Sequence, residues 1–207
     1  MRILVIGASG VMGGHVVHAL YAHHKEFGEG EVEILEASRS SAKFPVDCHD
    51  DASVLRLFKK IGRVDAVVST IGGAQWASAE VATLEHFKTT LDGKLLCQIR
   101  IALTARDYVI DGGSITLTSG IVGSFAFHGG SPSSIANKGL DAFVSNAAQE
   151  LRRIRLNTVS ATVLQESASS YATIFPGFAP IPGAHAASAY VRSVYGAESG
   201  QTIKVWS

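Results

Sequence analysis

The heptapeptide Gly7-Ala8-Ser9-Gly10-Val11-Met12-Gly13 spaces three glycines at intervals of three, directly after the apolar run Ile3-Leu4-Val5-Ile6 and ahead of a helix-periodic stretch. Gly7 lets a strand turn sharply, Gly10 lets main chain approach a pyrophosphate, and Gly13 lets the helix pack closely on the strand. The helix start adds unpaired N–H groups and a positive dipole end. This loop, with Ser9 and Met12 between its glycines, predicts a bound dinucleotide. At the expected exit of the second strand, Ser38-Arg39-Ser40 sets a hydroxyl beside a guanidinium, a pairing suited to a phosphate dianion. That favours NADP(H). The alternative is NAD(H), with Glu36 or Glu33 accepting from free ribose hydroxyls and Arg39 a solvated surface charge.

The second half carries hydroxyls and one ammonium. Ser119 closes the β-rich run Ser114 to Thr118, and the C-terminal ends of strands are where open α/β sheets bind ligands. Ser134 and Lys138 lie four apart on a helical pattern, so they share a face. A serine-lysine hydrolase is disfavoured because no G-x-S-x-G turn is present to expose a nucleophile. His15, His18, His23 and His24 crowd the first helix, but no carboxylate or cysteine completes a metal set around them.

The elements that must position these groups read as a strand-helix alternation. Strand patterns occur at 2–6, 31–36, 65–69, 114–118, 157–163 and 202–206, with a possible short one at 44–46. Helical patterns occur at 11–24, 52–61, 79–109 (interrupted near Asp92-Gly93), 133–151 and 184–195. Strands joined by helical crossovers imply an α/β fold, a doubly wound parallel sheet in a single domain spanning 1–207. Residues 167–183, with three prolines and three aromatics, are expected to form an ordered loop covering the site. Eighteen basic and eighteen acidic residues leave no net charge, which excludes a basic nucleic-acid footprint. Cys48 and Cys97, outside any C-x-x-C spacing, fit a reducing compartment better than a disulfide framework. With no apolar run of about 18 residues and no leader pattern before Arg2, the expectation is a cytoplasmic protein without membrane partners.

With these residues in view, the whole chain resembles a short-chain dehydrogenase/reductase in a shortened, divergent form. Its glycines are spaced as in the extended and atypical members. Asp47-Cys48 is similar to the pair that the family sets at the adenine ring. Ser69-Thr70-Ile71-Gly72-Gly73-Ala74 resembles the N-N-A-G segment with its asparagines replaced, so Gly72 and Gly73 keep a backbone role. Gly113 to Ser119 resembles the strand ending in the family's catalytic serine, and Arg155-Leu156-Asn157-Thr158-Val159-Ser160 the R-V-N-x-V-S run, after which Leu164 falls where main chain contacts the nicotinamide amide.

The resemblance implies hydride transfer between NADP(H) and a small carbonyl or alcohol compound. In that scheme a tyrosine moves the proton, a lysine holds the nicotinamide ribose and lowers the tyrosine pKa, and a serine holds the substrate oxygen. Carried over, the serine is Ser119 and the lysine Lys138, while Ser134 stands at the tyrosine position. The family's asparagine in the preceding long helix has no match, Thr90 or Asp92 lying nearest. An alkyl hydroxyl is too weak an acid to replace a phenol of pKa about 10. Two functions therefore stand: an oxidoreductase with another proton donor, or a non-catalytic NADP(H)-binding sensor or assembly protein. A homodimer or homotetramer is expected, paired through the long helices on either side of the strand at 114–118, where Leu95, Leu96, Ile99, Leu140, Phe143 and Val144 serve either core or interface.

Overall fold

A computed structural model describes residues 1–207. Its chain order is β1 (Arg2–Ile6), α1 (Val11–Phe27), β2 (Glu33–Ala37), α2 (Asp51–Ile61), β3 (Val64–Ser69), α3 (Leu84–Thr90), a π-helical segment (Leu91–Leu96), α4 (Cys97–Ala105), β4 (Val109–Thr118), α5 (Ser131–Glu150), β5 (Arg155–Ala161), a 3-10 turn (Gln165–Ser167), α6 (Ala168–Tyr171), α7 (Gly183–Tyr195) and β6 (Thr202–Val205). The six strands form one parallel sheet in the order β2-β1-β3-β4-β5-β6. The expected doubly wound α/β fold is present. Winding reverses between β1 and β3, and the crevice at their C-terminal ends is the ligand position of such sheets.

Side-chain alternation assigns the two faces. Leu4 and Ile6 of β1 enter a core of 24 buried residues shared with α2, α4 and α5, whereas Ile3 and Val5 enter one of 17 shared with α1 and α7. Burial of both faces explains why these strands read as continuous apolar runs. The Arg155-x-Asn157 pair ties β5 to α7: Arg155 donates to the Ser193 and Val194 carbonyls (2.6 and 2.9 Å), satisfying the end of that helix, and Asn157 donates to Ser193 Oγ (3.2 Å) and the Glu198 carbonyl (2.8 Å).

Several boundaries differ from expectation. The stretch 79–109 divides into α3, the π-helical segment and α4, followed by the start of β4 at Val109, whose pairing with β3 shifts register between Val64 and Ala66. Near Asp92-Gly93 the helix widens rather than breaks, and the Cys97 N–H bonds to the Asp92 carbonyl, five residues back. Residues 44–46 contribute a single bridge, Ser38 to Pro45. Segment 167–183 is ordered but begins with short helical turns, and Gly183 already belongs to α7. Helix α5 starts at Ser131, with Pro132 in its first turn, two residues ahead of the periodic pattern.

Candidate functional site

The glycine loop is built by exclusion. Gly7 has φ of +91°, a conformation that side chains strain, and a Cβ there would lie 2.8 Å from Thr70 Oγ1. A Cβ at Gly13 would lie 2.1 Å from the Gly7 carbonyl oxygen, so the first turn of α1 can close on the β1 exit only with glycine. Gly10, at the N-cap of α1, is exposed and receives no side-chain cap, which leaves the leading N–H groups of the helix turned to the crevice.

Two cavities, of about 690 and 480 Å³, meet at Gly72-Gly73-Ala74. The larger contains Gly7, Ser9 and Gly10 of the loop, Ser38, Arg39 and Ser40 beyond β2, and Asp47 and Cys48. Arg39 makes no ion pair or hydrogen bond. Glu33 is engaged by Arg2 Nε (2.8 Å), and Glu36 lines a separate depression beside α1. Asp47 is fixed by the His49 N–H (3.0 Å), the main cause holding its carboxyl below the usual carboxylate range. Cys48 and Cys97 are free and buried, and burial raises the Cys48 thiol to about 12, keeping it neutral.

The smaller cavity holds the second group of predicted residues, together with Met12 and Leu164. Gln98 of α4 grips the end of β4 through both amide atoms, donating to the Thr118 carbonyl and accepting from its N–H (2.7 Å each). Thr118 Oγ1 is held in turn by the Ser69 carbonyl (2.6 Å) and the fully buried Tyr190 hydroxyl (2.7 Å). Burial raises the Tyr190 pKa, and its ring, carried by α7, packs in the core shared with α1 rather than lining the cavity. Of the five tyrosines only Tyr171, in the covering segment, lines it.

Clamped in this way, β4 presents Ser119, which is 3% exposed and whose Oγ has no hydrogen-bond partner. Asn137 Oδ1 and Thr162 Oγ1, lining the same cavity, are likewise buried without partners. Buried hydroxyls and amides are normally satisfied, so three such atoms around one cavity point to a polar ligand. This cradle and the glycine loop fit a dinucleotide spanning both cavities.

Helix α5 departs from expectation by one residue. The side chains it turns to the cavity are Ser133 and Asn137, both buried and four apart. Ser134 and Lys138 do not line the cavity; Lys138 is exposed, with Nζ 3.4 Å from Ser124 Oγ. The reason is helical phase: one position is about 100° of rotation, and the buried stripe Ser133, Ala136, Asn137, Leu140, Val144 sets which flank faces inward. Lys94, absent from the predicted set, is the amine that does line the cavity, and its Nζ donates to the Ser119 carbonyl (3.1 Å). Lys94 is half-buried, but its ammonium end is sunk among protein atoms. Desolvation pulls its pKa down to about 8, against a smaller upward pull from Asp141. The signal for it was faint, a lysine beside Gly93 at the interruption of a long helical pattern.

Segment 167–183 contributes one wall of this cavity. Phe175 and Tyr171 line the cavity; Phe175 stacks on Phe127 (centroids 4.6 Å apart), and Phe178 lies 5.2 Å from Phe125. Its base is pinned where Glu166 accepts from the Gly183 N–H (3.1 Å) and meets His15 Nε2 (2.9 Å). No group of three or more His, Cys, Asp or Glu side chains is placed to hold a metal ion, and no helix is long and apolar enough to cross a membrane.

Comparison with known proteins agrees with this architecture. The sequence profile of a family described as Enoyl-(Acyl carrier protein) reductase matches residues 11–198. A Listeria innocua protein of known crystal structure is 36% identical, with a TM-score of 0.91 over the whole of both chains. An uncharacterized oxidoreductase of Methylorubrum extorquens is 27% identical over 177 residues, 76% of this chain and 70% of that one. A small-chain dehydrogenase solved in complex with NADPH shares the fold at 23% identity, with a TM-score of 0.84 over 99% of this chain and 96% of that one. With the profile covering nearly the whole sequence and the same six-stranded sheet beneath it, the chain belongs to the short-chain dehydrogenase/reductase superfamily of oxidoreductases.

Proposed function

We propose that the protein is an NADP(H)-dependent oxidoreductase interconverting a small carbonyl compound and its alcohol. The observation that carries this reading is the continuous crevice from the glycine loop to Ser119, lined by three buried polar atoms that lack partners. In it Asp47 and Cys48 would hold the adenine half of the cofactor, Gly7, Ser9, Gly10 and Gly13 its phosphates, and Met12, Gly72, Gly73 and Leu164 its nicotinamide half. The chemistry supplied there by a bound dinucleotide would be hydride transfer to or from the substrate carbon. Ser119 Oγ, free of any internal partner, donates to the substrate oxygen and holds it in place. Tyr171 and Phe175 supply an apolar wall that shields this region from water.

Support for the phosphorylated cofactor comes from the unpaired Arg39 in the same cavity as the glycine loop, with Glu33 paired to Arg2 and Glu36 lining a different depression. Titrating the protein with NADPH and NADH tests this. Arg39→Ala is expected to weaken NADPH about ten- to a hundredfold, the worth of charge-assisted hydrogen bonds to a phosphate, while leaving NADH within a few-fold. Equal loss for both cofactors, or wild-type preference for NADH, contradicts the assignment.

A second reading is favoured by one observation: α5 offers the cavity Ser133 and Asn137, neither able to supply a proton as a phenol would. On that reading the protein binds NADP(H) as a sensor or assembly partner. Cofactor oxidation across a carbonyl panel separates the two, since turnover excludes the sensor and tight binding without turnover supports it. We further place it in the cytoplasm, where two unpaired buried thiols persist, and as a homo-oligomer. Leu140 and Val144 are fully buried in the monomer, so pairing would fall to Leu96, Leu103 and their half-buried neighbours Leu95, Ile99 and Phe143.

A further inference from the structure

We propose that Lys94 is the cofactor-binding cation of this protein, gripping the sugar hydroxyls of the nicotinamide half from the π-helical segment packed beside α5, with Asn137 completing the cradle. The inference rests on the functional reading above and adds to it a residue and a polarity.

The geometry starts with the π-helical segment, one wide turn between α3 and α4. Wide turns of this kind displace side chains from the ordinary helical phase and recur at functional sites. Here the turn is pressed against α5 so closely that a Cβ on Gly139 would lie 2.9 Å from the Leu95 side chain. Lys94 is thereby held along Gly72, where an added Cβ would lie 3.4 Å from its chain carbons, and its amine reaches the end of β4.

Lys94 Nζ carries three protons when charged, and one goes to the Ser119 carbonyl. No carboxylate lies within 4.0 Å of it. Keeping an ammonium partly desolvated with two unused donors costs stability unless a ligand accepts from them. The same cavity wall holds the unpartnered Ser119 Oγ, Asn137 Oδ1 and Thr162 Oγ1. Donors and acceptors lacking internal partners thus belong to residues lining one space, and a ring of vicinal hydroxyls, each able both to donate and to accept, satisfies both kinds once those side chains turn to it. A cation on α5 is not available for this role, because Lys138 points to solvent.

The charges around Lys94 fix the pH behaviour. Asp141 of α5 is the carboxylate that acts on it; Asp92 on its own segment is exposed, and His49 Nε2 approaches Gly93 (3.8 Å from a Cβ there). Loop 70–75 and residues 118–123 and 161–164 carry no charged side chain, and Tyr171 is the titratable group of the covering segment. Hydroxyl oxygens accept from the ammonium and not usefully from the neutral amine, so binding favours the protonated form. Affinity is then flat below about 8 and falls above it, by up to roughly tenfold per pH unit.

The test is calorimetric titration of wild type, Lys94→Met, Lys94→Gln and Lys138→Met with NADPH and with adenosine 2′,5′-bisphosphate, from pH 7 to 10. The bisphosphate reaches the Arg39 end and lacks the nicotinamide half. Expected are a ten- to hundredfold loss of NADPH affinity in both Lys94 variants, unchanged bisphosphate affinity, wild-type behaviour of Lys138→Met, and a fall in wild-type NADPH affinity above pH 8 that the bisphosphate does not show. NADPH affinity within twofold of wild type in Lys94→Met, equal loss of both ligands, or a flat wild-type NADPH profile overturns the proposal while the functional reading stands. Failure of the wild type to bind NADPH or NADH overturns both. The wild-type pH profile reads the same group with no substitution, so a misfolded variant does not decide the matter.

Discussion

Gly13 and Gly14 are adjacent on the first turn of α1 and differ completely in what surrounds them. A methyl group on Gly13 would overlap the Gly7 carbonyl and lie 2.7 Å from Ala8 Cα, whereas one on Gly14 meets nothing within 4 Å. Gly13→Ala is expected to lose about 1–3 kcal/mol in denaturant unfolding, through backbone displacement of the loop, and to weaken dinucleotide binding with it. Gly14→Ala is its control, expected to gain up to about 1 kcal/mol from helix propensity. A smaller contrast governs Ser133 and Ser134, where one step along α5 decides between the cavity and its flank. Sequence spacing identified a pair four residues apart without identifying which pair, because i, i+4 geometry holds equally for every position on a helix.

At the scale of elements, the covering segment depends on a carboxylate at its base. Hydrogen bonds from its own N–H and from Gly183 hold the Glu166 pKa below the usual value, with His15 adding to the effect. A depressed carboxyl contributes above its unfolded pKa, about 4.3, and loses that contribution as pH falls through the lower folded value. Limited proteolysis within 167–182 is therefore expected to accelerate as pH falls below about 4, and Glu166→Gln to show the faster rate already at neutral pH. Element types and order were legible in advance because two-sided burial makes β1 a continuous apolar run and β3 nearly one, and makes the crossover helices periodic. The π-helical turn was not, since one residue of extra helix width leaves only a phase slip in hydrophobic spacing, which at Asp92-Gly93 reads as a breaker. Among the residues that line the two cavities, the glycine loop, Arg39 and Ser119 were named from local context, while the place of Lys94 in the wall depends on the packing of α5 against that turn.

For the whole molecule, the parallel sheet gathers residues from distant parts of the chain, such as Gly7, Gly72, Ser119 and Thr162, along one edge, and the covering segment closes over that edge. The aromatic packing that holds the segment extends to the chain's only two tryptophans. Trp76 lies in the cavity wall with its ring 6.1 Å from Phe175, and Trp206 lies 5.3 Å from Phe125, which contacts Phe178. Both tryptophans are therefore placed as native optical reporters of the surroundings of this segment. Intrinsic emission excited at tryptophan should change in intensity or wavelength on NADPH addition, with Trp76→Phe removing most of the response and Trp206→Phe the smaller part that follows the segment. Stopped-flow recording of that signal would time cofactor binding without an attached dye.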